Sequence, residues 1–236
     1  MTKPHLLVGC SFTDPMWQSA VPWSVEYAKT HPSYIVAKAA MGIKGICTET
    51  LYYIKNIEVS KLIIILPSLW RIDVEVDQET YLCNTMVDLI YADQSWKIIT
   101  PATRKWITSG GLNYQKDKEY SATFEFLYKH QGFLVIAKEH FRALTMLLNY
   151  CKLNKIEYVI SAIQDPLDQL IGLDYIKDEI CSLLAEVEYN LWLRFDGKFI
   201  DQYLGHNQHP TTEEHIKLNS YILENFKQGN NHGKTI

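Results

Sequence analysis

Four short apolar runs rich in β-branched residues punctuate the chain, at residues 6–8, 34–37, 62–66 and 158–163, the last holding a single polar residue, Ser161. Strands buried on both faces carry such runs, because neither face is left for polar side chains. Between the runs the period changes. Residues 20–29, 43–57 and 137–153 read as helices, the last with Phe141, Leu144, Leu147, Leu148 and Cys151 at helical spacing. A final helix is expected after residue 210, where Leu218, Ile222 and Phe226 form an apolar stripe able to dock on a sheet. Strand alternating with helix predicts an α/β fold with a parallel sheet, most simply a three-layer α/β/α sandwich.

The alternation fails from residue 77 to residue 132. That stretch is rich in aromatics, among them Tyr81, Tyr91, Trp96, Trp106, Tyr114, Tyr120, Phe124, Phe126 and Tyr128, and is interrupted by Ser109-Gly110-Gly111. It reads as an insertion between the third and fourth strands of a single domain spanning residues 1–236. Insertions at the carboxyl ends of parallel strands build substrate walls, while aromatics at this density pack a subdomain. The polar tail, residues 227–236, reads as disordered.

Composition narrows the function. A hydrophobic fraction of 47% supports one sizeable core, and 23 basic against 27 acidic residues leave a formal charge of -4. That balance carries no footprint of a nucleic-acid or anionic-membrane partner. Neither a signal peptide nor an apolar run long enough for a bilayer is visible, so the expected location is cytoplasmic. Cys10, Cys47, Cys83, Cys151 and Cys181 are scattered without a C-x-x-C pair and read as reduced thiols, mostly buried. His206, His209 and His215 match no standard ligand spacing, so neither a metal nor another cofactor is expected.

Two positions carry chemistry. Ser11 follows the first strand in Val8-Gly9-Cys10-Ser11-Phe12-Thr13, which puts its hydroxyl in a loop at the carboxyl edge of the sheet, where α/β proteins bind ligands. Alone, such a serine is more often a turn or helix-cap residue. His209 strengthens the case. Pro210 follows it, then Thr211-Thr212-Glu213-Glu214 spells a capping box with Thr211 as cap and Glu214 three residues on. The last helix therefore begins just beyond His209 and holds at its mouth an imidazole suited to general base catalysis. Gly42-x-x-Gly45 at a helix start is a weak phosphate-binding signal, and Cys10 reads as a buried strand-end thiol.

These blocks, in this order, resemble the SGNH (GDSL-like) hydrolases, and the similarity runs nearly the length of the chain. Asn207-Gln208-His209-Pro210-Thr211 is especially similar to a divergent, often phage-encoded branch reading Asp-x-His-Pro-Thr. The resemblance implies a flavodoxin-like parallel sheet, Ser11 as nucleophile and His209 as base. It also implies an oxyanion hole built from the N–H groups of Ser11 and Gly42, the latter in Ala39-Ala40-Met41-Gly42-Ile43-Lys44-Gly45.

The chain departs from the family pattern twice. After the third run it reads Ile65-Leu66-Pro67-Ser68-Leu69-Trp70-Arg71-Ile72-Asp73, without the family's asparagine donor. Ser68 or Arg71 is the candidate substitute, and Arg71, with Trp70, is the candidate for binding substrate, its guanidinium matching a carboxylate or phosphate. Loss of one oxyanion donor lowers rates roughly 10²–10³-fold. Where an acid is expected before His209 stands Asn207 or, one residue earlier, His206. An asparagine can orient the ring while stabilising its charge far less than a carboxylate, with Asp196 and Asp201 as nearby compensators.

The function implied is a serine esterase acting through an acyl-enzyme on an O-acylated carbohydrate or other small polar ester. An O-acyltransferase with the same nucleophile, a weak or inactive binding protein of SGNH fold, and a flavodoxin-like nucleotide-binding domain are the alternatives.

Overall fold

The computed structural model describes residues 3–14, 20–37, 39–76, 88–92, 97–99, 105–109, 118–170, 172–206 and 209–227. Its centre is a parallel sheet of β1 (His5–Gly9), β2 (Ser33–Ala37), β3 (Lys61–Leu66) and β8 (Glu157–Ala162), in the order β2-β1-β3-β8. Leu7 of β1 faces Ile35 on one side and Ile63 on the other. Leu6, Leu7 and Val8 are inaccessible to solvent, as the absence of polar positions in the run requires.

Helices cover both faces. The chain moves one way from β1 to β2 and the other way from β2 to β3, so right-handed crossovers put α1 (Trp23–Ala28) and α2 (Ile43–Ile54) on opposite faces. The last helix, here α6 (Thr212–Lys227), packs beside α1, while α2 packs along α3 (Lys118–Leu153). Buried Phe141, Leu144, Leu147, Leu148 and Cys151 form the stripe of α3 that faces the core. The α/β three-layer arrangement expected from the alternation is therefore present. No helix among the described residues is long and apolar enough to cross a membrane.

Three features differ from the sequence reading. Within the expected insertion, β5 (Asp88–Ala92) pairs antiparallel with β2, and β6 (Lys97–Ile99) pairs antiparallel with β5, so this part widens the main sheet to six strands. β4 (Asp73–Val76) and β7 (Lys105–Thr108) form a separate two-stranded ladder. It is tied to α2 by the buried Trp106 indole, which donates to Glu49 Oε1 at 2.7 Å. Finally, α3 begins well inside the stretch read as insertion. It is broken at Gly132, whose φ of 74° and ψ of 158° lie where residues with a Cβ are strained. Between β8 and α6 the chain adds α4 (Lys177–Glu186) and α5 (Ile200–Leu204). The expected disorder of the tail falls on residues 228–236, outside the described residues.

Candidate active site

In a sheet of this order the chain reverses direction between β1 and β3, and the loops leaving their carboxyl ends open a crevice there. β1 ends in a tight turn in which the N–H groups of Thr13 and Asp14 both donate to the Cys10 carbonyl, at 2.9 and 3.0 Å. Ser11 lies in that turn. Gly9 permits it, since a Cβ on residue 9 would collide with the Thr13 side chain. Trp23 Nε1 donates to Thr13 Oγ1 at 3.2 Å and Ser24 Oγ to the Thr13 carbonyl at 2.7 Å, which anchors the turn on α1. Ser11 is 4% exposed, and its hydroxyl donates to the Sγ of buried Cys10 at 3.9 Å.

His209 arrives from the other end of the chain. The capping box forms as read: Glu214 N–H donates to Thr211 Oγ1 at 3.3 Å, and Thr211 N–H donates to Glu214 Oε2 at 2.7 Å. The His209 ring packs against Phe12, the residue after Ser11, with ring centroids 5.1 Å apart. Burial and then the Arg71 guanidinium pull the His209 pKa below its usual value, since both disfavour a second positive charge. Behind it, burial and then His209 itself bring His215 down to about 4.

No carboxylate hydrogen-bonds to His209 among the described residues, and the expected orienting groups lie elsewhere. Asn207 is outside the described residues. His206 Nε2 bonds Glu214 Oε1 at 2.9 Å. Asp201 sits near Asp168 and Asp165; burial, followed by these two charges, raises its pKa. Asp196 lies in a turn whose N–H bonds Tyr221 Oη at 3.1 Å. Neither aspartate therefore supplies the compensation expected of it.

The oxyanion assignments need correction too. The Gly42 N–H donates to Asp73 Oδ1 at 2.8 Å, and the Gly45 N–H donates to Oδ2 of the same carboxylate at 2.8 Å. Gly42 is thus engaged in capping α2. The two glycines make room for that carboxylate, because a Cβ on Gly42 would come within 2.7 Å of Asp73 Oδ2 and one on Gly45 within 3.0 Å. The anion at this helix start is a side chain of the protein, where a phosphate was the other reading. Ser68 is engaged likewise: its hydroxyl donates to Gln169 Oε1 at 2.6 Å and accepts the Trp70 N–H at 3.2 Å.

The loop before α2 is pinned along its length. Asp14 Oδ2 accepts the Ala39 N–H at 2.9 Å, Thr108 Oγ1 donates to the Ala40 carbonyl at 2.6 Å, and Arg71 Nη1 donates to the Met41 carbonyl at 3.3 Å. These contacts hold Ala40 at a φ of 72°, a left-handed conformation unfavourable for alanine. His140 Nδ1 accepts the Lys44 N–H at 3.2 Å, so a second remote side chain caps α2. Arg71 thereby joins the loops after β2 and β3, while the partly exposed Trp70 ring lies on Phe133 with centroids 4.1 Å apart.

No family model, curated protein or solved structure matches the chain. The case for function accordingly rests on the site. Phe12, next to Ser11, packs on His209, and the charge of Arg71 acts on the same imidazole, while the Gly42 N–H is turned to Asp73. Sequence reasoning passed over Asp73, His140 and Gln169. The spacing of Gly42 and Gly45 was the available signal for Asp73, since three residues apart their N–H groups fit the two oxygens of one carboxylate. No group of potential ligand residues able to hold a metal occurs among the described residues.

Proposed function

We propose that the protein is an SGNH-type serine hydrolase that cleaves an ester, an O-acyl group on a carbohydrate or similar small polar molecule, through an acyl-enzyme on Ser11. The observation that carries this reading is the packing of Phe12, adjacent to Ser11, against His209. Ser11 Oγ attacks the acyl carbonyl while His209, kept neutral near pH 7 by its lowered pKa, accepts the hydroxyl proton. Collapse of the tetrahedral intermediate breaks the bond to the leaving oxygen, which takes that proton. Water then attacks the acyl-enzyme, transferring a proton to His209 and on to Ser11, and the carboxylic acid departs. A sugar hydroxyl in place of water makes the same chemistry an acyl transfer.

The oxyanion donor in this scheme is the N–H of Ser11, with Gly42 contributing only where its N–H turns from Asp73. Incubation with a neutral fluorophosphonate tests the scheme. Peptide mass spectrometry is expected to find one adduct on Ser11, absent from Ser11→Ala and strongly reduced in His209→Ala. A folded wild type that never labels rules it out.

The engagement of Gly42, and the absence among the described residues of a carboxylate hydrogen-bonded to His209, favour a second reading, a binding protein that uses the same site without turnover. Under that reading Ser11→Ala binds ligand as wild type does.

A further inference from the structure

β8 is the last strand of the main sheet, and the segment that follows α4 lies along its outer edge, where the Leu193 N–H donates to the Ile160 carbonyl at 2.7 Å. This segment, β8 and the last turn of α6 enclose a cavity of about 260 Å³, lined by Val159, Asn190, Leu191, Trp192, Arg194 and Asn225 and by none of the candidate catalytic residues. Its size is a little under the roughly 300–1,000 Å³ of sites for drug-sized ligands, so it suits a smaller one. Buried Val159 and Trp192, with partly exposed Leu191, form an apolar wall. The Arg194 guanidinium lies over the Tyr189 and Phe199 rings, 4.8 and 4.9 Å from their centroids, which holds it in place. One of its five N–H groups donates to the Trp192 carbonyl at 3.4 Å; even with a second turned to the Tyr189 hydroxyl, most remain. Its charge is not isolated, because Tyr189 Oη donates to Asp165 Oδ1 at 2.6 Å, and the carboxylate and the guanidinium act on that hydroxyl with opposite charges. Neither Asp165 nor any other carboxylate forms an ion pair with Arg194 among the described residues, so its donors stay open. Asn225 spends its Nδ2 on the Tyr221 carbonyl at 2.9 Å, which leaves Oδ1 to accept.

We propose that this cavity binds a carboxylate that carries an amide N–H on the adjacent carbon, the chemistry of an N-acyl amino acid or of a peptide carboxyl terminus. The guanidinium fork takes the two carboxylate oxygens in its plane, a match that a point charge does not offer. Asn225 Oδ1 accepts the amide N–H, and a compact apolar side chain lies on Leu191 and Trp192. A plain fatty acid leaves Asn225 unmatched and an amide in place of the acid leaves the fork unmatched, so the two polar contacts together select the class. The site stands at the flank of the sheet and does not depend on the reading under Proposed function.

Proton–nitrogen NMR of the Arg194 Nε–H and of the Asn225 side-chain amide, each assigned by substitution, tests the site on the intact chain. N-acetyl-leucine is expected to shift both resonances saturably and to bind at least about tenfold more tightly than N-acetyl-leucine amide, which lacks the carboxylate. Arg194→Gln is expected to remove that preference, and Arg194→Lys to restore part of it. Asn225→Ala is expected to weaken N-acetyl-leucine severalfold while isocaproate, which has the carboxylate without the N–H, binds as it does to wild type. The same spectra report the fold of each variant; if Arg194→Gln unfolds, the comparison of acid with amide on wild type and the Asn225→Ala pair decide alone. A tetrapeptide acid ending in leucine separates the sources: tighter binding than N-acetyl-leucine identifies a peptide terminus, equal or weaker binding a free small acid. No saturable shift with either acid, equal affinity for acid and amide, or wild-type binding by folded Arg194→Gln overturns the site.

Discussion

Helices α2 and α6 both follow loops that carry candidate site residues, and their first turns are completed in opposite ways. α6 is capped from within four consecutive residues, by Thr211 and Glu214 bonding each other's backbone. α2 is capped from a distance, by Asp73 after β3 and by His140 in α3. A local cap stabilises one helix end. The remote cap also fastens the loop after β3 and the helix that follows the aromatic region onto α2, so its loss disturbs three segments at once.

Acid should separate the two ends most strongly. Burial raises the Asp73 carboxyl to about 6, and burial likewise lowers His140 and His215 to about 4. The histidines stay neutral in the fold but protonate in the unfolded chain below about pH 6.5, so their contribution is present above that pH and is lost as pH falls towards 4. Asp73 acts oppositely: its raised pKa favours the fold below about pH 4, and that advantage disappears as pH rises through 6. His5, also lowered to about 4 by burial, His31 and Lys61, adds to the histidine side. Near pH 5, unfolding should take up a net one to two protons, roughly, and stability should fall by about 3–5 kcal/mol between pH 6.5 and 4.5. Urea melts at several pH values give the slope; a flat profile contradicts the neutral buried histidines. The α6 cap is indifferent in this window. Bonding from the Thr211 N–H, then His206, holds Glu214 near 2, so its contribution is lost only as pH falls from about 4.5 to 2.

Removing the remote carboxylate is next in size. Asp73→Ala leaves the buried Gly42 and Gly45 N–H groups without their acceptor and should cost about 2–4 kcal/mol. The same variant should steepen the pH slope by up to about one proton, because the opposing group is gone. Gly45→Ala puts a Cβ 2.8 Å from Met41 Cε and 3.0 Å from Asp73 Oδ2. It should cost about 1–3 kcal/mol, and a stabilised variant would mean that the carboxylate does not occupy this space. Smallest is the local cap. Thr211→Ala should lose about 1 kcal/mol in denaturant melts without changing the pH slope between 6.5 and 4.5.

The same contrast decides what could be read from the sequence. The four core strands, the α3 stripe and the α6 cap are local patterns, complete within a few turns of chain, and all appear in the fold. Asp73 and His140 carry no such mark, because a capping partner supplied by tertiary contact leaves no periodicity. The Gly42-x-x-Gly45 pair pointed to an anion at the α2 start but not to its owner. Strands β5 and β6 were missed because aromatic density in that region suggested a separate subdomain. The early start of α3 was hidden by Gly132. At the site, both loops bearing Ser11 and His209 were legible, whereas the engagement of Gly42 and Ser68 depended on partners distant in sequence.

The antiparallel pairing of β5 on β2 has a consequence during synthesis. As the chain leaves the ribosome, β2 can add to β1 on one side, but its other edge stays open until the chain has passed β3 and β4 and turned back. For that interval Ser33–Ala37 offers unpaired backbone to any neighbouring nascent chain. Its sequence, Ser-Tyr-Ile-Val-Ala, contains no charge or proline to discourage such pairing. The interval between β2 and β5 is thus the point in biogenesis at which crowding or slowed translation should divert this protein into aggregates.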